Sequence, residues 1–488
     1  MKFLPKIILA GLLFVLLCSS KSLSVKEQKK DLQIFREVLL LKESKINLHI
    51  NSSEIIGQLD ELESKFQNHL TLIEQFKAYG ELLSKIQCGH TQIHPNEQIF
   101  REWLTVRKSL PIDYYLIGKR LVVNKLEKED ILIHKEGKSK YQASKKIKPG
   151  SEIIEINHKS IPEMMLEIGR FLSSDEDAVG FKYFQTAQLF EFYRHCTNTF
   201  DQDSIQVKYL NKNRDTTAIY FQIGAAPVYT ITKRLSESEK YFQQKESNMG
   251  RFVTSGKYGI FSFQSFAASH GFSFEEFLEN SFEKIKNKKI KNLIIDLRGN
   301  TGGVMQYSLM RYFVGENVSL GRYVVGKPKK MFESRHLTKF NSDYSKHRKI
   351  SRKQKRLFRR NKFDNGEVFT TYIDPELVYN GQIVLLTDEG TFSSASILAA
   401  YLKTMCNAKI VGHSAGGSFF KGNAGTLTLK LPKSKMKVFI NPNTFYSHLE
   451  SVNNPLTIKI PDLIVDQIIL DSKKRSYFYI KQAKKMFE

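Results

Sequence analysis

The chain has 488 residues, of which 41% are hydrophobic and 26% are charged, and its formal net charge is +25. This length predicts two or three domains of roughly 100 to 200 residues each, because a single core rarely grows larger. If an amino-terminal signal is removed after Cys18, the cysteines that remain are Cys88, Cys196 and Cys406. This odd, sparse set is no disulfide framework, and no C-x-x-C pair indicates a zinc or redox site.

About half of the positive charge lies in one segment, a basic insertion at residues 329–362. It holds 14 Lys or Arg residues against only Glu333 and Asp343. Because its apolar residues show almost no regular spacing, the insertion is predicted to be an exposed loop or a frayed basic helix. No helix-turn-helix, RNA-recognition or zinc-finger pattern accompanies it, so we expect no nucleic-acid partner. An anionic surface or an acidic partner are the alternatives.

The first 20 residues are predicted to be a secretory signal peptide. Lys2 and Lys6 precede an unbroken apolar run from Ile7 to Leu17, and small polar residues follow Cys18. A transmembrane helix needs about 20 apolar residues, and this run is much shorter. The sequence therefore predicts export to the periplasm, the cell envelope or the medium. A membrane tether at the amino terminus, including lipidation at Cys18, is the alternative.

Two regions with different residue patterns follow the predicted signal peptide. Residues 25–109 carry apolar residues at helical spacing, with Thr71 and Glu74 spaced as a capping box, and predict a helical amino-terminal domain. Residues 110–224 consist of short β-branched and aromatic runs, which are typical of strands. Within them the stretch IKPGSEIIEINHKSIPEM resembles the peptide-binding PDZ domain, which predicts a PDZ-like domain, with an ordinary hairpin as the alternative.

From residue 240 to residue 488 the pattern becomes α/β. The apolar runs NLIIDL, QIVLLT and AKIVG predict strands that are buried on both faces of a sheet covered by helices. Ser273 and Glu276 are spaced as the cap of an amphipathic helix between the strand YGIFSFQSF and the first of these runs.

The stretch from Gly412 to Gly416 has the G-x-S-x-G spelling of a nucleophile elbow, which would make Ser414 the nucleophile of an esterase. In a nucleophile elbow a helix follows the serine. Here the residues after Gly417 alternate between polar and apolar and are rich in glycine, as in strands and turns. The order serine, acid, histidine also fails, because no Asp or Glu occurs from Ala415 to Ser447 and His448 is the last histidine. We therefore expect that Ser414 is not a nucleophile.

Ser393 and Ser394 are better candidates, because they stand where the buried strand QIVLLT and its loop meet the start of an amphipathic helix. Free backbone N–H groups and the positive helix end lie beside such a serine, and they can stabilise an oxyanion. The turn from Asp296 to Gly303, DLRGNTGG, follows the other buried strand. Its paired glycines allow a backbone N–H to approach a substrate carbonyl.

The motifs LIIDLRGNTGG, VLLTDEGTFSSAS and AKIVGHSAGG, in this order, resemble the C-terminal processing (tail-specific) serine peptidase family, which includes the tricorn core. The resemblance implies an α/β catalytic core with a ClpP/crotonase-like sheet and covering helices, preceded by the helical and PDZ-like domains. It also implies a serine endopeptidase that hydrolyses unfolded or tail segments of polypeptides through an acyl-enzyme, with no metal and no cofactor.

The same resemblance assigns the catalytic pair. The family pattern T-F-S-x-A-E matches Ser393 as the nucleophile, with Ser394 as a near rival and Ser396 where an acidic residue is usual. The lysine base of the bacterial branch falls at Ser418, so that dyad is not supported unless a shifted loop brings Lys421 into its place. The tricorn-like branch takes a histidine from the end of the amino-terminal region, and LLSKIQCGHTQIHP points to His90 as the general base.

The remaining site residues follow from the branch with the histidine base. Glu450 is the candidate for the carboxylate that orients the histidine, and Asp462 is the alternative. The N–H of Gly302 or Gly303, together with that of Ser394, is expected to form the oxyanion hole. A non-catalytic peptide- or ligand-binding protein that retains the fold is the competing hypothesis, because the lysine is missing and the residue after Ala395 is not acidic.

Overall fold

The computed structural model describes residues 23–41, 52–105, 110, 112–117, 119–126, 147–176, 178–197, 204–222, 250–267, 272–304, 306–325, 337–339, 366–424, 427–441, 443–451, 460–466 and 472–488. The predicted signal peptide with Cys18 lies outside the described residues, and so does the basic insertion apart from Leu337–Lys339. Within the described part of the chain, no helix is long and apolar enough to cross a membrane.

The amino-terminal region is helical, as its periodicity predicts. It contains α1 (Val25–Leu41), α2 (Ser52–Lys65), α3 (Leu72–Lys85), the short strand β1 (Gln92–His94) and α4 (Glu97–Thr105). Helix α3 begins with the predicted capping box, because the Thr71 side chain accepts from the Glu74 N–H and the Glu74 carboxylate accepts from the Thr71 N–H.

The next region is an antiparallel sheet with three helices. Its strands are β2 (Ile112–Ile117), β3 (Arg120–Leu126), β4 (Glu152–Ile156), β5 (Lys159–Ser160), β6 (Ser204–Leu210) and β7 (Thr216–Gln222). The strand order is β2-β3-β4-β6-β7, and β5 pairs with β4. Its helices are α5 (Ile161–Gly169), α6 (Val179–Gln188) and α7 (Phe190–Cys196). The strands fall in the range predicted to be β-rich, and the likeness to a PDZ domain stays a prediction.

The third region is built on a mostly parallel sheet. Its strands are β8 (Arg251–Ser255), β9 (Tyr258–Ser262), β10 (Asn292–Asp296), β14 (Gln382–Thr387), β15 (Lys409–Gly412) and β20 (Leu463–Ile464). The strand order is β20-β15-β14-β10-β9-β8. Only β8 runs antiparallel to its neighbour among these pairs. The three apolar runs recognised in the sequence are thus the central strands β10, β14 and β15.

Helices cover both faces of this sheet, which explains why its central strands are apolar throughout. The helices are α8 (Phe274–Asn287), α9 (Gln306–Val314), α10 (Ser394–Met405) and α11 (Ser472–Lys485). Leu293 and Leu385 belong to the core that contains side chains of α8, α9 and α10, whereas Ile294 and Val384 pack with Tyr479 of α11. Successive residues of a strand therefore contribute to different cores.

Two further sheets connect the core with the rest of the chain. The remaining strands are β11 (Ser319–Val325), β12 (Leu337–Lys339), β13 (Gly366–Phe369), β16 (Lys421–Ala424), β17 (Leu427–Lys430), β18 (Lys437–Ile440) and β19 (Asn443–Ser447). One sheet has the order β13-β11-β19-β16, and the other has the order β1-β18-β17-β12. Strand β1 of the amino-terminal region thus pairs with β18, with Gln92 opposite Phe439.

One hydrophobic core runs through the amino-terminal helices, the antiparallel sheet and the strands β17 and β18. Phe35 and Tyr79 from the helices, Val207 from β6, and Leu429 and Val438 from the last two strands all belong to it. The amino-terminal region is therefore fixed against the carboxyl-terminal half of the chain by a shared core as well as by the β1–β18 ladder.

Candidate active site

Ser393 stands directly after the loop that follows β14, and it is the cap residue of α10. Its backbone has φ 56° and ψ −125°, outside the region that a non-glycine residue ordinarily adopts. Backbone strain of this kind is held in place only by surrounding structure, and it clusters at functional sites. The side chain of Ser393 makes no capping hydrogen bond with the helix, so its hydroxyl serves another contact.

That contact is with His90. The Nε2 atom of His90 lies 2.8 Å from Ser393 Oγ, a normal hydrogen-bond distance. His90 lies between the end of α3 and β1, so the ladder between β1 and β18 fixes its loop. The structure thus brings together two of the predicted site residues.

An aromatic wall supports the imidazole of His90. The ring of Phe392 lies 4.6 Å from the His90 ring, centroid to centroid, and Phe181 stacks on Phe392 at 3.8 Å. Burial lowers the pKa of His90 from its ordinary value, while the charge of Asp175 acts in the opposite direction. The imidazole is therefore neutral at neutral pH, which is the form that accepts a proton.

The glycine turn after β10 lies against the serine. A Cβ atom on Gly302 would stand 2.8 Å from Ser393 Cβ and 3.0 Å from Ser394 N, so the two segments touch. The Gly302 N–H donates to Asn300 Oδ1 at 2.9 Å. Of the predicted glycine pair, Gly303 is therefore the one whose N–H does not donate to Asn300. Its φ is 146°.

Buried polar groups connect the glycine turn with the loop before Ser393. Asp388 Oδ1 accepts from the N–H of Gly299 at 2.8 Å and from that of Gly390 at 2.9 Å. The Phe392 N–H donates to the Asn300 carbonyl at 2.9 Å. Burial raises the pKa of Asp388 to about 6, although the hydrogen bond from the Gly299 N–H acts in the opposite direction. The two loops at the carboxyl ends of β10 and β14 are thus a single hydrogen-bonded unit.

The other serines have different environments. Ser394 is buried, and its Oγ has no hydrogen-bond partner among the described residues. Ser396 is also buried, and its Oγ donates to the Thr391 carbonyl at 2.7 Å and accepts from the Gly417 N–H at 3.2 Å. The residue that departs from the family pattern therefore joins the loop before Ser393 to the loop after β15. Ser414 is exposed in the loop after β15, and the strand β16 follows instead of a helix.

The structure does not bring either predicted acidic residue to His90 through a described contact. Glu450 lies in the 3₁₀ helix His448–Ser451, but the structure describes only its backbone. Asp462 Oδ2 accepts from the Ile410 N–H at 2.8 Å and lies 3.2 Å from Lys403 Nζ. Asp462 therefore stabilises the start of β15. At the position of the family lysine, the Ser418 N–H donates to Asp175 Oδ2 at 3.1 Å.

One group of side chains has the donor types of a metal site. One atom each from Cys88, His90 and Asp175 lies within 4.8 Å of the others, and no second group of this kind occurs among the described residues. Thiolate, imidazole and carboxylate are the usual zinc ligands. This group includes the same histidine whose Nε2 contacts Ser393.

Sequence reasoning missed three residues of this arrangement: Asp175, Asn300 and Asp388. A local signal for Asn300 existed, because an Asn whose side chain accepts from the N–H two residues later is a recognised turn motif. Asp388 also bonds locally, to Gly390. Asp175 gave no signal, because its partners Gly89 and Ser418 are 86 and 243 positions away.

Comparisons with known proteins give a family match for part of the chain and a similar fold. Residues 257–428 match the model of peptidase family S41. No curated protein sequence matches the chain. The structure of mature CPAF complexed with lactacystin is similar, with a TM-score of 0.56 and 11% identity over 95% of this chain and 97% of that chain. This similarity shows a shared fold.

Two further solved structures have lower scores. The photosystem II D1 C-terminal processing protease has a TM-score of 0.38 and 12% identity over 92% of this chain and 95% of that chain. The tricorn protease has a TM-score of 0.36 and 12% identity over 94% of this chain and 37% of that chain. The family match confirms the resemblance inferred from the three motifs: residues 257–428 form a peptidase family S41 domain, and the chain is a serine-type peptidase.

Proposed function

We propose that the protein is an exported endopeptidase that cleaves polypeptides through an acyl-enzyme on Ser393, with His90 as the general base. The observation that carries this proposal is the distance of 2.8 Å between His90 Nε2 and Ser393 Oγ. A nucleophile within hydrogen-bond reach of a neutral imidazole is the signature of activated serine chemistry. The lysine dyad of the bacterial branch finds no support, since Ser418 stands at the lysine position.

In the proposed reaction, Ser393 Oγ attacks the carbonyl carbon of the scissile peptide bond, and its proton passes to His90 Nε2. The tetrahedral intermediate collapses when the leaving amine takes that proton, so the carbon–nitrogen bond breaks and an ester on Ser393 remains. Water then attacks the ester, and His90 accepts a proton from this water. Return of the proton to Ser393 Oγ regenerates the enzyme and releases the carboxylate product.

The oxyanion of each intermediate needs donors beside Ser393. We assign this role to the N–H groups of Gly303 and Ser394. The Ser394 N–H belongs to the first turn of α10, where backbone donors have no partner within the helix. Gly302 contributes by close packing, because a side chain at this position would collide with Ser393.

The substrate class and the location follow from sequence and family. A family of serine peptidases that includes the tricorn core supports unfolded or tail segments of polypeptides as substrates. The lysines and the apolar run of the first 20 residues support export. Because His90 lies outside residues 257–428, the proposed catalytic pair combines the matched domain with the amino-terminal region.

Active-site labelling with a fluorophosphonate, followed by mass mapping of the tagged peptide, tests the proposal. We expect the tag on Ser393, and we expect His90→Gln to slow labelling by about 10² to 10⁴ because the base is lost. Ser414→Ala serves as the control, and it should be labelled at the wild-type rate. Lactacystin, with which CPAF was crystallised, should compete with the label. A tag on another residue, or normal labelling of His90→Gln, would refute the proposal.

A further inference from the structure

The imidazole of His90 has two nitrogens in different situations. Nε2 contacts Ser393, whereas Nδ1 is buried and has no hydrogen-bond partner among the described residues. When Ser393 loses its proton, the ring becomes a buried cation. A buried charge is costly unless an opposite charge lies close to it. The geometry of the site therefore calls for a carboxylate near the ring.

Asp175 is buried, with 6% of its surface exposed, in the segment between α5 and α6. Its Oδ1 accepts from the Gly89 N–H at 2.7 Å, and its Oδ2 accepts from the Ser418 N–H at 3.1 Å. Gly89 immediately precedes His90, and Ser418 lies in the loop after β15. Hydrogen bonds to a carboxylate are stronger than neutral ones, so Asp175 holds the loop of the base against the loop of the catalytic core.

Asp175 also lies close to the ring itself. A carboxylate oxygen of Asp175 and a ring nitrogen of His90 are within 4.8 Å of each other. An opposite charge at about 4 to 6 Å favours the charged form of a titrating group. The negative charge of Asp175 accordingly raises the pKa of His90, against the larger effect of burial.

We propose that Asp175 is the positioning residue of the His90–Ser393 pair, where its carboxylate fixes the loop of the base and stabilises the imidazolium that forms during acylation. This inference rests on the proposed function. In this proposal Asp175 takes the role that the sequence analysis expects of Glu450, and it comes from the segment before α6, whereas Glu450 follows Ser393 in the chain.

Among the described residues, the other groups around the ring do not supply this charge. The Cys88 thiol belongs to the same group of close side chains, but it accepts from Thr91 Oγ1 at 3.3 Å. Phe392, on the ring face, is apolar. Glu176 is directed to Ser418 Oγ, at 3.5 Å.

The test compares Asp175→Asn with a matched control, Asp31→Asn. Asp31 is also fully buried and accepts two backbone N–H groups, from Lys433 at 2.8 Å and Ser434 at 2.7 Å, but it has no described contact with His90. The readout is kcat/KM on a peptide substrate as a function of pH, normalised to the amount of enzyme that a fluorophosphonate labels at Ser393. Normalisation removes the effect of unfolded protein.

We expect Asp175→Asn to lower the pH-independent kcat/KM by at least about tenfold and to move the acid limb down by about one pH unit or more. Asp31→Asn should leave the acid limb at its wild-type pH, because Asp31 has no described contact with His90. The proposal is overturned if Asp175→Asn keeps the wild-type profile, or if Glu450→Gln moves the acid limb while Asp175→Asn does not. Failure of the proposed function is a separate result, because wild-type enzyme would then carry no label on Ser393.

A second measurement applies if Asp175→Asn does not fold. In the Ser393→Ala protein at low pH, NMR of ring-labelled histidine reports the Nδ1–H proton of the His90 imidazolium, assigned by its loss in His90→Gln. We expect this proton to exchange slowly with water, because Nδ1 is buried and the Asp175 carboxylate close to the ring stabilises the imidazolium. Rapid exchange would contradict the role of Asp175.

Discussion

His90 Nε2 and Ser393 Oγ are 2.8 Å apart, although 303 positions of the chain separate the two residues. The β1–β18 ladder and a core shared by the amino-terminal helices and the last strands bring them together. The proposed catalytic pair therefore depends on the packing of the amino-terminal region against the peptidase core. Changes that loosen this packing should reduce activity without touching either residue.

The identity of the nucleophile can be tested with three single substitutions. We expect Ser393→Ala to lower casein hydrolysis by at least about 10³, because no other hydroxyl contacts His90 in the described structure. Ser414→Ala should retain the wild-type rate, since the Ser414 side chain is exposed and has no described contact with His90. Ser394→Ala should also retain activity, because its backbone N–H is unchanged. Normal casein cleavage by Ser393→Ala would refute the assignment.

Gly303 has no room for a side chain. A Cβ atom at this position would stand 1.9 Å from the carbonyl carbon of Phe266, and φ is 146°. Gly303→Ala should therefore destabilise the protein by at least about 2 kcal/mol and abolish peptidase activity. Gly57→Ala is the control, because nothing lies within 4 Å of its Cβ position in α2, and it should stabilise the helix by about 0.5–1 kcal/mol. Urea denaturation measures both changes, and equal stabilities would contradict this account.

Asn300 shapes the turn that carries the proposed oxyanion donor Gly303. It is buried, accepts from the Gly302 N–H at 2.9 Å and donates to the Phe263 carbonyl at 3.0 Å. Asn300→Ala should lower kcat by about 10 to 10², mainly through misplaced oxyanion donors. Ser281→Ala removes one buried hydrogen bond on α8, to the Phe277 carbonyl, and should leave kcat unchanged. Steady-state kinetics decide, and an Asn300→Ala effect confined to KM would count against the assignment.

The pH dependence of activity follows from the environment of His90. Burial lowers the pKa of its imidazole below the ordinary value near 6.5, so the neutral, proton-accepting form persists to lower pH. We expect the midpoint of the acid limb of kcat/KM to lie below pH 6.5. A profile measured between pH 4 and pH 8 with a peptide substrate checks this, and an acid limb centred above pH 7 would contradict it.

His413 and Glu389 stabilise the loop before the nucleophile in a pH-dependent way. His413 Nδ1 lies 2.9 Å from Glu389 Oε1, and the carboxylate raises the pKa of His413 to about 9. The folded state therefore holds the proton up to about pH 9, while the unfolded chain releases it near pH 6.5. The stabilisation, about 1–3 kcal/mol, is complete below pH 6.5 and is lost as the pH rises through about 9.

The corresponding experiment is urea denaturation of the wild-type protein and His413→Gln at pH 6 and at pH 9.5. The wild-type protein should be the more stable one at pH 6, and the difference should shrink at the higher pH. A difference that is independent of pH would show that the ion pair does not contribute.

Much of the α/β core can be predicted from the sequence. The strands β10, β14 and β15 are apolar on both faces, so their runs are visible without alternation, and a strand end followed by an amphipathic helix marks Ser393. The exclusion of Ser414 as an elbow also follows from local pattern, because β16 follows its loop. His90 required the family resemblance, since a single histidine after a helix has no pattern of its own.

Other features depend on long-range packing and leave no local pattern. The residue spacing suggests separate amino-terminal domains, but it does not show that Phe35 of α1 and Val438 of β18 share one core. Asp175 stands in the polar stretch SSDED, which is typical of a surface turn. Its burial arises only when Gly89 and Ser418 are brought to it by the fold.

The central claim is that Ser393 and His90 act as one unit. The most direct test is the kcat/KM of Ser393→Ala, His90→Ala and the double variant on one peptide substrate. When two residues act in the same proton transfer, the rate losses of the single variants do not multiply in the double variant. We predict that the double variant is no slower than the slower single variant, with each single loss at least about 10³. Losses that multiply in the double variant would show that the two side chains act independently, and would contradict the account.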